Sequence, residues 1–158
     1  MLLITLKDDS GKLVQGANVR LYKNINDSGT TRISDATGVV IFSDLDTTLY
    51  YWLAKKECKT NGLSQTTLNR PVLPGVVLYG YSVLTETGVL KIVNSSLENY
   101  KISDSLVTAT VTKDTPYVAY RKIGSHVLQI EKPGTPTFKK DTLIRIRCGD
   151  TSTLHLPY

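Results

Sequence analysis

Apolar and polar residues alternate along most of this chain in short runs separated by turn-forming clusters, a pattern that predicts strands throughout. Leu2 to Lys7 reads as the first strand, followed by the turn Asp8-Asp9-Ser10-Gly11-Lys12, rich in residues that bond their own backbone. From Gly16 to Ala54 the pattern is clearest. Val19 and Leu21 alternate with Asn18, Arg20 and Tyr22, the period of two of a half-buried strand, here spanning about Ala17 to Lys23. Asp35-Ala36-Thr37-Gly38 offers an Asp that can bond the backbone two residues on and a Gly that can take positive φ. It predicts a tight hairpin between two short strands, with Val40 and Phe42 sharing one face of the second. Another strand runs from about Leu49 to Lys55, where Trp52 and Ala54 alternate with Tyr51 and Leu53, and Trp52 is expected in the core. Cys58 to Gly75 is the least regular stretch. Asn61-Gly62 signals a turn, Ser64 to Asn69 a short polar edge strand, and Pro71 and Pro74 break the segment leading to Gly75. This Thr-rich loop is where a partner could touch. Val76 to Leu84 is a long strand that brings the count to seven.

Thr85-Glu86-Thr87 is expected to be a short joint, with strands resuming at Gly88–Ser96, Asn99–Ile102 and Gly124–Gly134. A final pair is expected over Thr142–Leu154 around the Gly149-Asp150 turn. Within it, Leu143, Arg145 and Arg147 fall on one face while Ile144 and Ile146 take the other. The isoleucines should therefore face the core and the arginines a solvent or a partner. Arg145 and Arg147, with Lys139 and Lys140, are the candidate partner-binding residues, a basic face suited to an acidic surface. His126 and His155 are read as solvent-facing strand positions rather than ligands or bases.

The 158 residues suit one ordinary domain or two small ones, and the 41% apolar content fits a fully folded chain. Nine Tyr, with many Thr and Val, favour strands. The net charge of +5 is spread along both halves, with nine basic against seven acidic residues up to Leu84 and ten against seven beyond it. That distribution argues against a nucleic-acid partner, and no apolar window is long enough to span a bilayer. Asp8, Asp9 and Asp27 lack the alternating spacing of a calcium loop. No Ser, His and acid stand in a recognised local order, and phosphate-loop and H-E-x-x-H motifs are absent. The reading is therefore of a protein without catalytic residues, metal or cofactor. Cys58 and Cys148 fall one in each half and are expected to be free thiols. Met1-Leu2-Leu3-Ile4-Thr5-Leu6 has no basic leader and is followed by Asp8-Asp9, so it reads as a strand rather than an export signal.

Over residues 2–57 the order Gly-Ala-x-Val-x-Leu, Asp-x-x-Gly-x-Val-x-Phe-x-x-Leu, Tyr-x-x-x-Ala resembles transthyretin-like, carboxypeptidase-regulatory-type Ig-like modules. It is also similar to the collagen-binding B-type repeats of bacterial surface proteins. Some of those repeats carry an internal Lys–Asn isopeptide bond, for which no Lys, Asn and acid trio is placed here. Residues 88–158 resemble the small PEGA-type β-sandwich through Gly-x-Leu-x-Ile, Asn-Tyr-x-Ile and Gly-x-His-x-Leu-x-Ile-x-Lys-Pro-Gly, with Ser103-Asp104-Ser105 in place of the usual Asp-Gly turn. Together they imply an all-β chain of two small antiparallel β-sandwich domains in tandem, 1–84 and 85–158. Modules of both types occur on phage particles and cell surfaces. The first functional expectation is thus a bacteriophage virion protein, an auxiliary or decoration protein assembled in the host cytoplasm. It would dock in many copies on a major capsid or other virion protein, one sandwich on the shell and the other projecting. The alternative is an adhesin or carbohydrate-binding module cut from a longer exported bacterial protein, with exposed aromatic residues in loops meeting a surface glycan. A third is the accessory domain of a carboxypeptidase-like enzyme. Whether Met1 is the native start separates the first two.

Overall fold

The alternation seen in the sequence becomes burial in the computed structural model, which describes residues 1–24, 26–62, 66–67, 70–132, 134 and 138–157. All regular structure among them is β, and the chain divides into two compact units, Met1–Glu86 and Thr87–Tyr158. The fold class is all-β, built of β-sandwich layers.

In the first unit, β1 (Leu2–Asp8), β2 (Asn18–Tyr22), β3 (Thr30–Ile33), β4 (Val39–Phe42) and β5 (Tyr51–Lys56) are followed by the short β6 (Lys59–Thr60) and β7 (Thr66–Thr67), then by β8 (Leu78–Asn94). One layer is β4-β1-β8 and the other β3-β2-β5, with β6 and β7 both pairing on β5. Leu2, Ile4 and Leu6 of β1, Val40 and Phe42 of β4, and Leu78 and Leu84 of β8 close on Val19 and Leu21 of β2 and on Trp52 and Ala54 of β5. Each fully buried Leu, Ile or Phe contributes about 1.5–3 kcal/mol. Trp52 is a core residue, its indole N–H donating to Ser82 Oγ at 2.8 Å.

One local expectation changes and two gain detail. The Asp35–Gly38 turn does not close a hairpin: β3 pairs with β2 and β4 with β1, so the turn carries the chain from one layer to the other. Asp35 Oδ1 accepts the N–H groups of Thr37 and Val39, and Gly38 (φ +70°) sits so close to Leu6 O that a Cβ would lie 2.8 Å from it. A turn signal specifies the reversal, while the partner of each strand is set by which apolar face it must bury. Asn61-Gly62 is a turn as expected, and Asn61 within it is buried, accepting from Ala54 N–H and donating to Trp52 O and Ser82 Oγ. Of the strand expected over Ser64–Asn69, β7 covers Thr66–Thr67, and the other positions lie outside the described residues.

Thr85-Glu86-Thr87, expected as a joint, is strand within β8, because Thr is β-compatible and Thr85 and Glu86 find partners in Thr60 and Lys59. Two pairings are parallel, β1 with β8 and β14 (Thr151–Leu156) with β8.

In the second unit, β9 (Tyr100–Ser103), β10 (Thr108–Val111), β11 (Tyr117–Lys122), β12 (Gly124–Lys132), β13 (Phe138–Ile146) and β14 complete the chain. One layer runs β10-β9-β12-β13, the other β11-β8-β14 through residues 87–94 of β8. Leu90, Ile92, Tyr100, Ile102, Val111, Leu128, Ile130, Ile146 and Leu156 form its core. Gly88 is obligatory at its place: a Cβ there would lie 2.1 Å from the Arg147 carbonyl oxygen.

Candidate functional site

The four basic residues expected to meet a partner lie on or just beyond β13, an edge strand of the four-stranded layer. Its register against β12 is regular from Gly124↔Ile146 to Lys132↔Phe138, so side chains alternate without interruption. Ile146 is buried and Ile144 packs against the core, while Leu143 and Arg145 are exposed, as the period requires. The same period parts the two lysines. Lys139 shares the outward face with Asp141, Leu143 and Arg145, whereas Lys140 shares the parity of Thr142, Ile144 and Ile146. Arg147 lies past the strand in the exposed Arg147–Asp150 turn, where its carbonyl accepts the Asp150 N–H at 3.3 Å.

Charge on this outward face is balanced rather than basic. Lys139 Nζ is 3.2 Å from Glu131, its cross-strand neighbour, and Asp141 accepts a hydrogen bond from Gln129. Between those acids and Arg145 stands an exposed apolar pair, Val127 opposite Leu143. His126, expected to face solvent, instead has the parity of Leu128 and Ile130. It is half-buried, with Nε2 2.7 Å from the Lys122 carbonyl oxygen. His155 is exposed on β14.

The acidic turns are closed by their own loops. Asp8 Oδ1 accepts from the Ser10 hydroxyl and from the N–H groups of Ser10 and Lys12, and Oδ2 accepts from Lys59 Nζ. The Ser10 hydroxyl bond leads these in holding the Asp8 carboxyl down to about 2. Asp27 lies below its ordinary value through the Gly29 and Lys23 N–H groups. Among the described residues no group of three or more His, Cys, Asp or Glu is placed to hold a metal. A polar cleft of ≈ 560 Å³ beside Asp8 is lined by Lys12, Lys56 and Lys59, of which Lys56 donates to Gln15 O and Lys59 to Asp8.

A second surface went unread in the sequence. On the outer face of β4-β1-β8, Ile41, Leu3 and Tyr79 form one cross-strand row and Val39, Thr5 and Tyr81 the next, with Lys7 beside Val83 beyond them. Tyr79 is 77% exposed and Tyr81 52%, the latter with Lys7 Nζ 5.9 Å from its ring centroid. At the foot of this face Met1, Ser43, Asp44, Leu45, Leu73 and Val76 line a cleft of ≈ 380 Å³. The signal was present: Val76 to Leu84 is apolar at both parities, and its inward side is the thinner one. Gly80 and Ser82 stand there because Trp52 fills the space, a Cβ on Gly80 meeting the indole at 3.0 Å. The exposed tyrosines are thus on a strand face, not in loops.

Both cysteines differ from expectation. Neither Cys58 nor Cys148 is a free thiol; each is disulfide-bonded. A cysteine's neighbours in sequence do not set its state; a second sulfur within reach in suitable geometry does.

No family model matches the chain, and no curated protein does. Among solved structures it is similar to the TIE protein of Bacillus anthracis (12% identity, TM-score 0.42, 98% of this chain). It is also similar to a streptococcal ancillary pilin (11%, 0.45, 96%) and to the minor pilin GBS52 of Streptococcus agalactiae (14%, 0.40, 98%). The chain spans 33% of the first of these, 61% of the second and 93% of the third. Similarity at this level carries no residue's role across, and function rests on the chain's own groups.

Proposed function

We propose that this chain is a non-enzymatic structural and adhesive segment of a bacterial cell-surface protein, at the location of the adhesin or carbohydrate-binding alternative expected from the sequence. Its first unit would be a transthyretin-like, Ig-like sandwich (1–84) and its second a PEGA-like one (85–158). Its partners would be other proteins of the same surface, in many copies, through exposed strand faces and edges rather than a pocket. The observation that carries this reading is the disulfide-bonded state of Cys58 and Cys148. Disulfides form as proteins are exported into oxidising settings, whereas a virion protein acquires them only after release from the reducing cytoplasm in which it assembles. That chemistry favours the exported route over a cytoplasmically assembled virion decoration. The exposed Tyr79 and Tyr81 add amphipathic rings of the kind enriched at contact surfaces.

Protease shaving of intact cells of the native source, with mass spectrometry of the released peptides, tests it. Peptides of this chain released from whole cells, joined to those of a longer polypeptide, are expected. Recovery only with dense, nucleic-acid-filled particles, at a fixed ratio to a shell protein, overturns the surface assignment and restores the capsid partner.

A further inference from the structure

We infer that Asn61 is a self-modification site whose chemistry the native first unit holds off, so that its conversion to aspartate or isoaspartate records opening of the turn after β6. Asn61 is the only asparagine in the sequence followed by glycine. Gly62 has no side chain to screen its backbone nitrogen, which can therefore reach the side-chain amide carbon of the residue before it. The step balances with water alone. Gly62 N bonds to Asn61 Cγ, the Cγ–Nδ2 bond breaks, and the amide nitrogen leaves as ammonia with the proton from Gly62 N. Water then opens the five-membered imide. Cutting its bond to Cγ gives aspartate, and cutting its bond to the Asn61 main-chain carbonyl gives isoaspartate.

Three features of the fold oppose that step. The amide is engaged by its neighbours: Oδ1 accepts the Ala54 N–H at 2.8 Å, and Nδ2 donates to Trp52 O at 3.2 Å and to Ser82 Oγ at 3.3 Å. With the Asn61 N–H donating to Ala54 O, the residue continues the ladder that β6 makes with β5. These bonds have to be given up before the amide can swing onto its own chain. The attacking nitrogen is engaged as well, its N–H donating to Thr60 Oγ1 at 3.0 Å. Asn61 is also only 3% exposed, which keeps away the water that carries the protons. The product does not fit the same place. Aspartate sets a carboxylate oxygen, which cannot donate, where Nδ2 meets the Trp52 carbonyl, and it buries a charge. Isoaspartate also lengthens the main chain by one atom, which breaks the register with Ala54. An opening that lasts long enough for the ring to close thus becomes permanent. This goes beyond the surface assignment and holds in either compartment.

Peptide mass spectrometry of the full chain, aged at mildly alkaline pH with and without urea, follows conversion at each asparagine, and enzymatic methylation marks isoaspartate. In urea Asn61 should convert fastest of all, and Gly62→Ala, which screens the nitrogen, should slow it. Without urea Asn61 should convert about tenfold more slowly or less, each tenfold being about 1.4 kcal/mol of opening free energy. Thr60→Val removes the acceptor of the Gly62 N–H, and Ser82→Ala removes a partner of Nδ2. Both should speed conversion in the folded chain and leave the rate in urea unchanged. Chains aged in urea and then refolded should melt at a lower temperature than chains freshly unfolded and refolded. Equal conversion of the wild type with and without urea overturns the proposal. So does full protection retained in both Thr60→Val and Ser82→Ala, or a converted chain that refolds to the wild-type melting temperature.

Discussion

Arg121 and Asp104 carry opposite charges where either alone would be costly. Both side chains are almost fully buried, with Arg121 Nε donating to Asp104 Oδ2 at 2.8 Å. Arg121 also donates to Tyr120 O and to the Tyr117 hydroxyl, and Asp104 accepts the N–H groups of Leu106 and Val107. Burial works against the Asp104 carboxylate, yet these donors together hold its pKa below the ordinary value. The position where the sequence departs from an Asp-Gly turn is thus a turn of another kind, closed by a side chain and neutralised by a distant strand. Arg121→Met leaves Asp104 charged and unpaired and should cost about 3–5 kcal/mol of unfolding free energy. Asp104→Asn in the same background should return part of that loss, because the amide carbonyl still accepts from Leu106 and Val107 without a charge to solvate. Urea unfolding of the wild type, both single variants and the double variant measures the coupling. Additive losses would mean that the pair does not act as a unit.

At the scale of elements, aspartates fasten the turns: Asp8 at the end of β1, Asp27 between β2 and β3, and Asp35 between β3 and β4. Each carboxyl is held below its ordinary value by donors of its own turn. A carboxyl lowered on folding stabilises above its unfolded pKa, and that stabilisation fades as pH falls through the folded value. For Asp8 the window runs from 3.8 down to about 2. The stability advantage of the wild type over Asp8→Asn should therefore be constant near neutrality and shrink across that window. Denaturant midpoints of the two proteins at stepped pH would show it, and an advantage unchanged down to pH 2 would sink the account. These turns were legible, since Asp-x-x-Gly and Asp-Asp-Ser-Gly are local signals. Strand periods were legible too: Leu143 and Arg145 against Ile144 and Ile146 fall as the alternation says. Pairing was not. That β3 and β4 belong to different layers, that β8 runs unbroken through Thr85–Thr87, and that Asn61 is buried under Trp52 all depend on residues distant in sequence. The candidate basic face shows the same limit. Alternation alone separates Lys139 from Lys140, but Glu131, which offsets Lys139, appears only once β12 and β13 are in register.

For the whole molecule the decisive chemistry is the state of its two thiols, because it bears on where the chain works. Cys58 and Cys148 fall one in each half of the chain, and that placement was the reason to expect free thiols. Disulfide linkage of both changes the compartment that the chain fits. A secreted or surface protein meets oxidants as it folds, while a cytoplasmic one meets a pool that reduces it. Protein recovered from its native source under acid quench, then denatured and treated with a maleimide, should take up no label before reduction and two labels per chain after it. Intact mass spectrometry counts both states. Labelling of both cysteines without reductant would show that the chain matures in a reducing compartment. The chemical support for a cell-surface role would then be gone, and the virion route would regain its place. Unlabelled cysteines would instead make strand faces and edges exposed outside the cell, Tyr79 and Tyr81 foremost, the first places to look for a partner.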